Sequence, residues 1–165
     1  MGGARQEVII EMPNEADIAT IAQLFKQDMD DLGVETELEE LKVVAEAAVH
    51  GGSPDNPDCL CWVARVKPEG EALGVVLANF NWSLKFAGRA LWIEELYVAP
   101  QARRRGIGRL LVERVLDYAE EEGIRGIDLE AYRGNTPASI LYRSLGFYRL
   151  GRERFYYKVE GSGYL

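Results

Sequence analysis

Apolar residues recur along this chain with two periods. Ile18, Ile21, Ala22, Leu24 and Phe25 fall three and four apart, behind Asn14-Glu-Ala-Asp17, whose side chains suit a helix start, so the pattern predicts an amphipathic helix. Leu38, Leu41, Val44, Ala45 and Ala48 repeat the period over Thr36 to Val49, with Gly51-Gly52 to stop it and His50 suited to the negative end of the helix. A third run places Ile107, Leu110, Leu111, Val115, Tyr118 and Ala119 on one inward face before Gly123. Asn135 to Leu145 makes a shorter helix ended by Gly146.

Between these lie β-prone runs: Val8 to Ile10, Cys59 to Val66, Ala72 to Asn81, Leu91 to Val98, Ile127 to Ala131 and Phe155 to Val159. The turn residues Pro68-Glu-Gly70 join the second and third as a hairpin, and the apolar content of Leu91 to Val98 predicts burial on both faces. Strand, helix, helix, three strands, helix, strand, helix, strand is an α/β order without internal repeats.

Composition narrows the class. A chain of 165 residues suffices for one compact domain, 1–165, burying about 70% of its unfolded surface. No run is long and apolar enough to span a bilayer, and Met1 to Glu7 lacks the apolar core of a secretory signal, so a soluble cytoplasmic protein without a membrane partner is expected. Nineteen basic against 27 acidic residues leave a net charge of −8, which disfavours nucleic acid. One histidine and two cysteines, Cys59 and Cys61, make a metal site improbable, and no metal is expected.

The densest basic cluster, Arg103-Arg-Arg-Gly-Ile-Gly108, stands where a strand gives way to a helix. Such a turn directs free N–H groups along the positive end of the helix dipole and binds phosphate. Gly106 and Gly108 would let a diphosphate reach the backbone, and Arg103, Arg104 and Arg105 could meet further phosphate oxygens. It is not a Walker A loop, lacking Gly-Lys-Ser/Thr, nor the dinucleotide fingerprint, whose third glycine would fall at Leu111.

The segment Leu96-Tyr-Val-Ala-Pro-Gln-Ala-Arg-Arg-Arg-Gly-Ile-Gly-Arg-Leu-Leu111 closely resembles the acyl-coenzyme A motif of the GNAT superfamily of N-acetyltransferases, Arg/Gln-x-x-Gly-x-Gly/Ala, with Arg103, Gly106 and Gly108 in its fixed places. Downstream, Asn135-Thr-Pro-Ala-Ser-Ile-Leu-Tyr-Arg-Ser-Leu-Gly-Phe147 is similar to the superfamily's second block. The resemblance implies a mixed α+β sheet flanked by helices, splayed between Leu91 to Val98 and Ile127 to Ala131, with acetyl-CoA as co-substrate in the cleft. It implies that the backbone of Leu96, Tyr97 and Val98 pairs with the pantetheine arm, that the residues from Arg103 through Ile107 to Arg109 hold the phosphates, and that Asn135 and Ala138 make further contacts.

An amine attacking a thioester must lose a proton, and the departing thiolate gains one. By resemblance to diamine acetyltransferases, which carry a similar acidic pair, Glu94 would take the amine's proton through water, with Glu95 the structural partner facing the other way. Tyr142, seven residues after Asn135, stands where the superfamily puts a tyrosine hydroxyl beside the coenzyme sulfur; a phenol, with an ordinary pKa of about 10, is protonated at neutral pH and could supply the thiolate's proton. Asp28, Asp30, Asp31, Glu35, Glu37, Glu39 and Glu40 form an acidic run which, by resemblance, lies beside the acceptor cleft; Asp31 is taken as its substrate-facing member. The run reads more simply as a solvated helix face. The expected acceptor is a small cationic amine, with a peptide amine or a silent coenzyme A sensor as alternatives, and a homodimer is compatible with this reading.

Overall fold

The structure, a computed structural model, describes residues 7–53 and 55–159. The chain divides into two compact units, Met1–Glu130 and Ala131–Leu165.

The first unit holds a five-stranded sheet. Its strands are β1 (Ile9–Glu11), β4 (Cys59–Arg65), β5 (Gly74–Ser83), β6 (Gly88–Val98) and β7 (Ile127–Leu129), side by side in that order. All neighbours are antiparallel except β6 and β7, which run parallel. Two two-residue strands, β2 (Gly52–Ser53) and β3 (Asn56–Pro57), close a small hairpin between α2 (Leu38–His50) and β4. The helices are α1 (Ile18–Asp31), α2 (Leu38–His50) and α3 (Ile107–Glu121).

Local chemistry explains the helix ends. The Asn14 side chain accepts from the Ala16 N–H, and the Asp17 carboxylate accepts from the Asn14 N–H at 2.9 Å, a reciprocal cap at the turn that leads into α1. Gly51 ends α2 in the left-handed conformation, its N–H bonded to the Ala47 carbonyl.

Alternation in β4 sends Cys61 and Val63 to one face, where they join Ile21, Leu24, Phe25, Ala45 and Ala48 of α1 and α2 with Val75, Leu77 and Tyr97 of the sheet. Trp62, between them, meets the ring of Tyr118 in α3 at 5.7 Å. Gly74 lets α3 come this close: a Cβ there would stand 3.0 Å from Ile107 Cγ2 and 3.2 Å from Leu111 Cδ1. Leu110, expected to face inward, lies at the margin of that face and is 36% exposed.

At the end of the α1–α2 layer Arg65 is almost fully buried. Its Nη1 and Nη2 each donate to Asp17 at 2.9 Å, its Nε donates to Glu11 at 2.6 Å and Nη1 also donates to the Gly70 carbonyl at 2.8 Å. The guanidinium's hydrogen bonds hold Asp17 below its ordinary pKa, against the opposing effect of burial.

The second unit contains α4 (Thr136–Ser144). The expected strand Phe155 to Val159 does not form. A strand exists only through backbone bonds to a neighbour, and no described strand pairs with it; Phe155, Tyr156, Tyr157 and Val159 are exposed, so no core holds the segment extended either.

Candidate active site

The sheet opens within β6. Parallel pairing with β7 covers only Leu91, Trp92 and Ile93, opposite Ile127, Asp128 and Leu129. β7 stops at Leu129, short of the expected Ala131, while β6 continues to Val98 against β5 alone. The backbone edge from Glu94 to Val98 therefore has no partner strand on the β7 side among the described residues, and an extended ligand could add to it as a strand does.

A β-bulge falls at the same place. Leu77 pairs with Glu95 and Ala78 with Ile93, which leaves Glu94 as the extra residue of β6. A bulge bends its strand and sharpens the local twist, so the departure of β6 from β7 has a local cause. Glu94 is exposed and accepts from Trp92 Nε1 at 3.0 Å. Glu95 turns to the α1 side, where Asp28 meets it. Burial first, then the hydrogen bond and charge of Asp28, push the Glu95 carboxyl up to about 9.

Tyr97, two residues on and on the same face, donates its hydroxyl to Asp31 Oδ2 at 3.0 Å. Burial and that carboxylate push the phenol up to about 12. Asp28 and Asp31 are one helical turn apart, as Glu95 and Tyr97 are one strand repeat apart, so the end of α1 meets β6 along one seam.

The turn after β6 has the geometry of an anion cradle. Arg104 and Gly106 both adopt left-handed backbone, at φ 65° and 74°, and α3 starts at Ile107. The first helical acceptor bond is from the Leu110 N–H to the Gly106 carbonyl at 3.1 Å, so the N–H groups of Ile107, Gly108 and Arg109 precede the intrahelical ladder. A Cβ at Gly106 would have nothing within 4 Å, so backbone conformation, not crowding, calls for glycine.

Arg103 points differently from its neighbours' expected role. Its Nε donates to the Val98 carbonyl at 3.1 Å, its guanidinium carbon lies 5.4 Å from the Tyr97 ring centroid, and its Nη2 stands 3.7 Å from Asp31 Oδ2. Arg109 Nε pairs with Glu113 one turn along α3 at 3.0 Å.

Tyr142, Asn135 and Ala138 belong to the second unit and gather on α4. Asn135 caps that helix, its Oδ1 accepting from the Ala138 N–H at 3.3 Å, so two residues read as coenzyme contacts are first partners of each other. Tyr142 packs on Phe147 with ring centroids 5.9 Å apart, and the Phe147 N–H returns to the Tyr142 carbonyl at 3.0 Å.

Acyl-enzyme chemistry on a cysteine finds little support. Burial, then the neighbouring Asp58, raises the Cys59 thiol, and burial pushes Cys61 up to about 12, the opposite of an activated thiolate. Among the described residues no three His, Cys, Asp or Glu side chains converge as metal ligands, and no helix is long and apolar enough to cross a membrane.

The reading of the Asp28–Glu95 and Asp31–Tyr97 contacts was not available from the sequence. Its only trace there is acids three apart on α1 and polar residues two apart on β6; which faces meet is a tertiary fact.

A sheet parted beside a bulged strand, followed by a left-handed glycine turn into a helix, defines an acyltransferase of the coenzyme A-binding type. Residues 21–147 match the model of the Acetyltransferase (GNAT) family, and the chain belongs to that family as an acetyl-CoA-dependent N-acetyltransferase. It is 28% identical over 145 residues to thialysine N-epsilon-acetyltransferase of Sus scrofa, covering 84% of this chain and 83% of that one. It is 32% identical over 113 residues to streptothricin acetyltransferase of Streptomyces lavendulae, covering 68% and 57%. A possible acetyltransferase from Clostridium difficile 630 shares the fold with a TM-score of 0.75 at 23% identity, over 92% of this chain and 97% of that structure.

Proposed function

We propose that this enzyme transfers an acetyl group directly to the primary amine of a small cationic molecule, polyamine-like or amino-acid-like. The observation that carries this reading is the gathering of carboxylates at the open stretch of β6: Glu94 exposed at the bulge, with Asp28 and Asp31 reaching the strand from α1, where Glu95, its carboxyl pushed up to about 9, keeps its proton and adds none of this charge. A negative potential beside the acyl donor's binding edge draws a protonated amine and repels an anionic acceptor. The names of the thialysine and streptothricin relatives agree with small-molecule acceptors.

In this mechanism the backbone of Leu96 to Val98 takes the pantetheine arm, and the N–H groups from Gly106 to Arg109 take the diphosphate. Glu94, exposed at the bulge, accepts a proton from the ammonium group through water. The neutral nitrogen then attacks the thioester carbon, the C–N bond forms, the nitrogen releases its second proton to water, and the C–S bond breaks. Tyr142 gives its phenolic proton to the departing thiolate and regains one from solvent. No acyl-enzyme intervenes, which accords with the raised thiols of Cys59 and Cys61.

The test is a panel of diamines, amino acids, aminoglycosides and peptides assayed for free thiol released from acetyl-CoA. Small cationic amines should turn over and peptides should not; peptide turnover alone would replace this reading with a peptide acetyltransferase, and coenzyme A binding without any turnover would make the protein a sensor. With the amine found, Tyr142→Phe and Glu94→Gln should each lower kcat by about 10- to 100-fold at unchanged coenzyme affinity.

A further inference from the structure

We propose that Asp31 is a positioning residue that ties the phosphate-binding turn to the C-terminal turn of α1, so that coenzyme binding at one element stiffens the other. The inference rests on the reading of the turn at Gly106 as the coenzyme's anion cradle, and extends it to a part of the molecule that need not touch the coenzyme.

Arg103 stands at the root of that turn, yet its polar contacts run backward. Nε is fixed to the Val98 carbonyl at 3.1 Å, the last residue of β6, and the guanidinium lies against the Tyr97 ring. Its remaining reach is toward Asp31 Oδ2, at 3.7 Å, the same oxygen that accepts the Tyr97 hydroxyl at 3.0 Å. One carboxylate oxygen, on the last residue of α1, thus joins the strand that ends in the turn with the arginine that begins it. Its neighbours Asp28 and Asp30 are engaged elsewhere, with Glu95 and with Lys26 at 2.6 Å.

The Arg103–Asp31 pair is more than half exposed on both sides, and such a pair alone is weak. Its consequence lies in linkage. Diphosphate at the cradle restricts the backbone from Arg105 to Arg109, Arg103 loses freedom with it, and a less mobile guanidinium holds Asp31 for a larger fraction of time. By reciprocity, anything that orders the end of α1 tightens coenzyme binding by the same factor. The end of α1 carries Asp28 and Asp31, so the donor's arrival would set the acidic wall that meets the acceptor amine.

Hydrogen exchange on the full chain, with and without coenzyme A, reads this directly. The amides of Leu32, Gly33 and Val34 bond to the carbonyls of Asp28, Asp30 and Met29 and report the closing turn of α1. Coenzyme A should slow their exchange by about fivefold or more in the wild type, a typical coupling. In Asp31→Asn, measured at saturating coenzyme A, the slowing should vanish, and calorimetric coenzyme affinity should fall by no more than the same factor of about five, as reciprocity requires. Tyr97→Phe, which spares both charges, should retain part of the slowing, and carries the test if the Asp31 variant does not fold. Coenzyme binding without slowing at these amides in the wild type overturns the proposal, as does full slowing in Asp31→Asn. A wild type that does not bind coenzyme A removes the cradle itself, and the proposal with it.

Discussion

At the scale of residues, two kinds of buried or half-buried charge coexist and have different consequences. Arg65 with Asp17 and Glu11 is a closed set in which the guanidinium's donors meet acceptors, and its work is structural. Replacing one member strands a buried charge, so Asp17→Asn should lower unfolding free energy by about 3–5 kcal/mol in urea titration at pH 7. Because Asp17 is held below its ordinary pKa when folded, its contribution is complete above pH 4, and is lost as pH falls through the depressed folded value. The gap between wild type and variant should therefore narrow below pH 4. The seam of Asp28, Glu95, Asp31 and Tyr97 is an open set, with more carboxyls than cations, a poor design for stability and a suitable one for receiving a cation.

At the scale of elements, the sequence was most readable where one residue type answers one local need. Gly51, Gly106 and Gly123 sit at left-handed positions that end or begin helices, and the expected start of α1 and boundaries of α2 and α3 agree with the structure to within a few residues. Gly106→Ala keeps its Cβ free of contacts yet forces φ near 74°, so it should cost about 1 kcal/mol of stability by thermal melt. Distortion of the cradle should weaken coenzyme A binding by about fivefold or more by calorimetry. The last strand was misread for the complementary reason: Phe155-Tyr-Tyr-Lys-Val159 has strong β propensity, and propensity expresses fitness for a sheet, not the presence of a neighbour.

At the scale of the whole molecule, the family's two sequence blocks divide between the units, the cradle and open edge in the first and α4 with Tyr142 in the second. Coenzyme A at a concentration of about 100 times its Kd should stabilise the folded chain by about 2.7 kcal/mol, a rise in Tm of about 5 to 10 °C for a chain this size. The rise should shrink as salt screens the phosphate contacts. No rise in a protein that calorimetry shows to be saturated would mean that binding is not linked to folding.

The sequence by itself determined the helices, the hairpin and the glycine turn, because each depends on the conformations and backbone groups of residues adjacent in the chain. Only the tertiary structure decided that β7 ends three residues into its pairing with β6, that the bulge falls at Glu94, and that Asp31 answers Tyr97 and Arg103. Those depend on which faces of distant segments are brought into contact, and burial and pairing energies become defined only when both partners are in place.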